Sequence, residues 1–172
     1  NNGSSWSMLG SQARGAGANQ PTMNFGWFTE STPDYELRRT ILHEFGHALG
    51  LLHEHQNPSG GIPWNEAAVY DFYRRTQGWD QATTHRNVIA RQRHDETQFS
   101  AYDPLSIMHY PVDPRLTTGG YEVGLNTSLS ATDIEFISRV YPGRNVAPST
   151  TPPVPPQPTY TSDRPSVPTA QP

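Results

Sequence analysis

The chain has 172 residues, with 12 basic, 16 acidic and no cysteine, for a formal charge of −4. Every basic residue is an arginine and only Arg38-Arg39 and Arg74-Arg75 cluster, which argues against the basic stripe of a nucleic-acid-binding protein. Lack of cysteine excludes disulfides, Cys-based zinc sites and cysteine nucleophiles, and no apolar run approaches the roughly 18 residues of a membrane span.

Residues 1–20 are rich in Gly, Ser and Asn and read as loops around a short strand at Trp6–Leu9. Gln20–Phe28 has the aromatic content of a strand, and Pro21 and Gly26 place it at an edge. A long helix follows. Thr32 is its expected cap, Pro33 suits the first helical position, and Asp34 and Glu36 favour the positive end of the helix dipole. Leu37, Ile41, Phe45, Ala48 and Leu49 recur at helical spacing, and Gly50 is a natural stop. A second helix is expected from Asn65 as cap to about Arg75, with Trp64 and Val69 as a hydrophobic staple. A third runs from near Asp80 to about Arg91. Residues 92–129 read as irregular, punctuated by Asp103-Pro104, Pro111, Pro114 and Gly119-Gly120. The last helix starts at Ser130, with Asp133 completing a capping box and Ile134, Ile137, Val140 and Tyr141 forming an apolar face. Pro142-Gly143 ends it. Ten of the 17 prolines lie from Pro142 onward, among Thr and Ser. The expected organisation is therefore a folded domain over 1–142 and a Pro/Thr/Ser-rich disordered linker over 143–172, with room for a further domain beyond it.

The chemistry is concentrated in His43-Glu44-Phe45-Gly46-His47 and its extension through Gly50 to His53. Positions i and i+4 share a helix face, so His43 and His47 can hold one ion. Gly50 lets the chain reverse and bring His53 to the same ion. Three neutral imidazoles leave a fourth zinc position open, which distinguishes a catalytic site from a structural one. Glu44 lies beside them, where it can take a proton from water and pass it to a leaving amine. The bland alternative is an inactive descendant that keeps the shape. His55 could compete with His53, but the motif spacing favours His53. His109 is expected to make a structural hydrogen bond, His85 and His94 to lie at the surface, and Arg38-Arg39 and Arg74-Arg75 to form solvated helix faces. Asp103 is expected to order the chain around it. Asn2-Gly3-Ser4 and Asn126-Thr127-Ser128 are glycosylation sequons.

This extended motif resembles that of the metzincin zinc endopeptidases, and within them the chain most resembles the astacins. His53 is followed by Glu54, as in that family. Tyr102-Asp103-Pro104-Leu105-Ser106-Ile107-Met108-His109-Tyr110 resembles the family's Tyr-Asp-x-x-Ser-x-Met-His-Tyr segment. Ser5-Trp6-Ser7-Met8-Leu9-Gly10 resembles an upstream Cys-Trp-Ser-x-x-Gly stretch, with serine in place of the cysteine.

The resemblance spans about residues 4–142. It implies an α+β catalytic domain: a twisted mixed sheet with the zinc-binding helix, above a mostly irregular lower subdomain that ends in a helix. It implies a secreted zinc endopeptidase acting on protein or peptide substrates. One Zn2+ would be held by His43, His47 and His53, with Glu44 as general base. Met108 would form the apolar floor of a Met-turn beneath the histidines. Tyr110 would be a displaceable fifth ligand that swings to the tetrahedral intermediate, and the strand at Thr22–Trp27 would be the cleft's upper rim.

Three departures stand out. The family's disulfides have no counterpart, so packing by Trp6, Trp27, Trp64 and Trp79 would replace them. After Glu54, which in the family pairs with the mature N-terminus, the run is His55-Gln56-Asn57-Pro58 rather than Arg and Asp. Only 42 residues precede His43, so the family's first strands and backing helix are expected to be missing and the zinc helix poorly covered. Two other readings are an inactive or incomplete fragment that only binds, and a metzincin of another family such as the matrixins.

Overall fold

A computed structural model describes residues 3–93 and 100–143. The order is β1 (Ser5–Ser7), β2 (Met23–Phe25), α1 (Asp34–Ala48), α2 (Glu66–Gln77), α3 (Gln81–Thr84) and α4 (Ala131–Val140), linked by short 3₁₀ turns. This is the expected α+β class. Its sheet, among the described residues, is a single antiparallel pair with Trp6 opposite Asn24. Of the expected twisted mixed sheet, this antiparallel pair is what is present among the described residues.

Local signals placed most elements. α1 begins one residue later than expected: Pro33 is its cap and no side chain caps it. The Thr32 hydroxyl instead accepts from the Thr29 N–H. α1 ends as Gly50 takes φ +95°, a value that favours glycine. The Asn65 side chain caps α2 by accepting from the Ala68 N–H, and Gly78 closes it at φ +70°. Replacing Asn65 by Ala should cost about 1 kcal/mol, readable as a lower denaturation midpoint with unchanged m-value. Asp80 caps α3, which passes at His85 into a π-helical stretch ending at Ile89, short of Arg91. Ser130 and Asp133 form the expected capping box on α4.

The core sits in the segments after His53. Ile62, Val112 and Val123 form one cluster, and Val69, Val88 and Leu116 another; Trp64 packs against both. The Trp64–Val69 staple is thus part of the core, and Trp79 packs on the second cluster. Trp27 makes an edge-on contact with Phe28 near the sheet.

α1 is oriented by its polar face. Glu36, Thr40, His43 and Glu44 are buried, while Ile41, Phe45 and Leu49 remain 38%, 53% and 40% exposed. Among the described residues this apolar side of the helix is poorly covered. On α4, Ile134, Val140 and Tyr141 are also exposed, so the expected apolar face is only partly used. Among the described residues no helix is long and apolar enough to cross a membrane. His94, Asn2 and residues 144–172, which include nearly all of the expected linker, lie outside the described residues.

Candidate metal centre

α1 projects His43 and His47 from one face, with ring centroids 4.8 Å apart. The Gly50 reversal then returns the chain so that the Leu51 N–H donates to the Gly46 carbonyl at 3.0 Å. His53 follows, its ring centroid 4.7 Å from that of His47 and 5.4 Å from that of His43. One ligand atom from each of the three lies within 4.8 Å of the others.

Backbone carbonyls set the tautomers. His43 Nδ1 is 2.9 Å from the Ile107 carbonyl and His47 Nδ1 is 2.8 Å from the Leu51 carbonyl. A carbonyl only accepts, so each Nδ1 carries the proton and each Nε2 offers a lone pair. His47 Nε2 and His53 Nε2 approach to 3.1 Å. Two nitrogens about 2.0–2.1 Å from a tetrahedral zinc stand about 3.3 Å apart. The pair therefore has the spacing of one edge of a tetrahedral zinc site. Burial, followed by repulsion from His47, holds the His43 pKa down at about 3. Burial also lowers His47, and it lowers His53 well below the ordinary imidazole range. All three are neutral at pH 7, the form a metal requires.

Glu44 is 2% exposed, and its Oε2 has no hydrogen-bond partner among the described residues. A buried carboxylate oxygen without a partner is costly, and burial raises the Glu44 pKa to about 7, against the opposing pull of Arg39. The donor set and this orphaned oxygen fit a zinc ion and its water. Tyr110 stacks over the cluster, 4.3 Å from His53 and 5.6 Å from His43 between ring centroids. Burial, then the nearby Glu44 charge, raise its pKa, so the phenol keeps its proton.

Met108 is fully buried, and a methyl group placed on Gly46 would collide with its Sδ. The thioether therefore lies directly beneath the helix turn that carries the two histidines.

No family model matches the chain. A solved structure of myroilysin is 49% identical, covers 84% of this chain and 70% of its own, and superposes with a TM-score of 0.80. The chain belongs to the metzincin-like proteases. A second myroilysin structure, also 49% identical, covers 81% of this chain and 61% of its own with a TM-score of 0.55. Protein SpAN from Strongylocentrotus purpuratus is 32% identical over 59% of this chain, and the chain spans 17% of that relative's length.

In this metzincin-like domain the remaining predicted residues fall into place around the histidines. His55 stays out of the cluster and reaches the Asn87 carbonyl at 3.1 Å. His109 makes the expected structural contacts, through Nε2 to the Tyr102 hydroxyl at 2.7 Å and through Nδ1 to the Tyr110 carbonyl at 2.6 Å. Asp103 orders its own turn, accepting from the Leu105 N–H at 2.9 Å. Glu54 Oε1 accepts from the Asn57 side chain at 2.8 Å and the Asp103 N–H at 2.9 Å. His85 is exposed, within 3.2 Å of the Tyr70 hydroxyl. Arg74 and Arg75 are exposed and pair with Asp71.

Arg39 departs from its expected role as part of a solvated face. It is 15% exposed, pairs with the buried Glu36 at 3.0 Å and bears electrostatically on Glu44 and His43. Asn126 also has a structural use: its amide nitrogen donates to the Pro104 and Ser106 carbonyls, at 2.9 and 2.8 Å. A glycan on that nitrogen would cost at least one of those bonds.

Sequence reasoning missed Gly46, Arg39 and the reach of Asp133. A glycine inside an otherwise strong helix was the one signal for Gly46. A cavity of about 370 Å³ opens beyond Met108, bordered by Leu49, Glu54, Asp133, Phe136 and Ile137. His53 and Met108 also line it, whereas Glu44 and Tyr110 do not.

Proposed function

We propose that the chain is a secreted, astacin-like zinc metalloendopeptidase that hydrolyses peptide bonds in protein or peptide substrates. The observation that carries this reading is the convergence of three neutral imidazoles beside a buried carboxylate with an unpartnered oxygen. One zinc ion on His43, His47 and His53 would supply an acidified water and polarise the scissile carbonyl. Glu44 would take the water's proton on Oε2 and pass it to the departing amine. Burial suits it to both tasks, because a carboxyl with a pKa near 7 can accept and return a proton at neutral pH. The protonated Tyr110 phenol would donate to the oxygen that becomes negative in the tetrahedral intermediate. The outer edge of β2, which pairs only with β1 among the described residues, would hold substrate as an added strand.

The astacin-like assignment rests on His53-Glu54 and on Tyr102–Tyr110, which differ from the residues usual in matrixins. Secretion rests on the same resemblance. The tail past Pro142 would be a linker that leads toward a further domain.

A second reading is favoured by the exposed Ile41, Phe45 and Leu49 and by the two-stranded sheet. The chain would then be an incomplete metzincin-like unit that binds peptides without cutting them. Assay of the refolded chain on a quenched fluorescent protein substrate separates the two. Cleavage that is abolished by a chelator and restored by added Zn2+ is the expected outcome. Zinc uptake with no cleavage in either state would establish the binding-only reading instead.

A further inference from the structure

The Asp133 carboxylate does more than close a capping box. It is 6% exposed and spends both oxygens on the Met-turn. Oδ1 accepts from the Ser106 hydroxyl at 2.7 Å and Oδ2 from the Ile107 N–H at 2.9 Å. Oδ2 also accepts from the Ser130 N–H at 2.9 Å, which is the reciprocal half of the capping box. The Ser106 hydroxyl in turn accepts from the Met108 N–H at 3.0 Å. On the other side of the turn, the Ile107 carbonyl receives the Nδ1 proton of His43 at 2.9 Å. A line of hydrogen bonds therefore runs from the last helix, through residue 107, to the imidazole of a zinc ligand. Met108 lies one residue further on, under Gly46.

We propose that Asp133 is a positioning residue for the metal centre, acting through Ile107 on His43 and through Ser106 on Met108. The proposal rests on the reading of His43, His47 and His53 as zinc ligands. An ionised acceptor makes stronger hydrogen bonds than a neutral one. Fixing residue 107 fixes the carbonyl that chooses the His43 tautomer and ring orientation. Partners of this outer kind typically change metal affinity 10–100-fold when removed. Asp133 contributes no ligand atom, so its effect is on how well the lone pair of His43 is presented.

The test compares Asp133→Ala, Asp133→Asn and Ser130→Ala in the 172-residue chain. Zinc affinity is measured by competition with a chromophoric chelator, the absorption spectrum of the Co2+-loaded chain reports ligand geometry, and thermal melts of the metal-free chains report the fold. Ser130→Ala removes the hydroxyl's half of the cap and leaves the bonds from Asp133 to residues 106 and 107. The expected result is at least tenfold weaker zinc binding and an altered Co2+ spectrum for Asp133→Ala. Ser130→Ala should lose melting temperature yet bind zinc within about twofold of the unaltered chain. Asp133→Asn keeps the shape with weaker acceptors, should fall between, and carries the test if Asp133→Ala does not fold. The proposal is overturned if the folded Asp133 variants bind zinc like the unaltered chain, or if Ser130→Ala weakens binding as much as they do. Failure of the unaltered chain to bind zinc would instead overturn the zinc-site reading itself.

Discussion

Glu44→Gln should lower peptidase turnover by about 10²–10⁴, the range that a positioned general base supplies, while leaving one zinc ion bound. The two readouts separate because Glu44 contributes no atom to the three-histidine set. Glutamine has the same shape and cannot take a proton from water at neutral pH. The fold should hold, since the exchange removes a buried ionisable group whose Oε2 has no partner among the described residues. Turnover measured beside metal content in the same preparation decides the matter. Full activity with zinc present would remove Glu44 from the mechanism, and loss of zinc would make it a structural member of the site.

Gly46→Ala should destabilise the chain, against the ordinary trend for helices. Alanine in place of a helix-interior glycine normally gains up to about 1 kcal/mol. Here the added methyl collides with Met108 Sδ and meets Leu51 Cδ1 at 3.6 Å. Met108 is buried and borders the cavity of about 370 Å³, so its thioether can yield only by leaving its place beneath the helix turn. Overpacking of this kind typically costs about 1–3 kcal/mol, so a net loss is expected as a lower melting temperature. Zinc affinity should fall with it, because Gly46 precedes one ligand and Met108 underlies both. Shortening the floor should relieve the clash: adding Met108→Ala to Gly46→Ala should cost less than the sum of the two single changes. A more stable Gly46→Ala chain would show that the thioether is not wedged beneath the helix.

Much of the candidate centre was legible in the residue order because its geometry is local. A spacing of four on a helix brings His43 and His47 together, and a glycine with positive φ turns the chain back three residues before His53. The caps were legible for the same reason. Asn65, Asp80 and Ser130 each bond an N–H three residues away, and a side chain of that length can do so wherever a helix starts. Thr32 failed because its hydroxyl found the N–H of Thr29, in the preceding turn, instead.

The long-range part was not legible. Asp133 read as a cap, and nothing in its neighbours announces that it holds residues 106 and 107, more than 25 positions earlier. Arg39 read as solvated, because helical periodicity marks a face without saying which face the rest of the chain will cover. The apolar stripe of α1 shows the same limit. Ile41, Phe45 and Leu49 would ordinarily turn inward, yet the buried face of this helix is the polar one that carries the histidines and Glu44.

By itself, then, the sequence determined the three-histidine cluster, the carboxylate beside it and most of the helix caps, since each depends on contacts within about ten residues along the chain. Only the tertiary structure decided which face of α1 is buried, that Met108 lies under Gly46, and that the last helix reaches His43 through residue 107. Those depend on where distant segments cross, and side-chain packing and hydrogen bonding between such segments leave no period in the sequence to read.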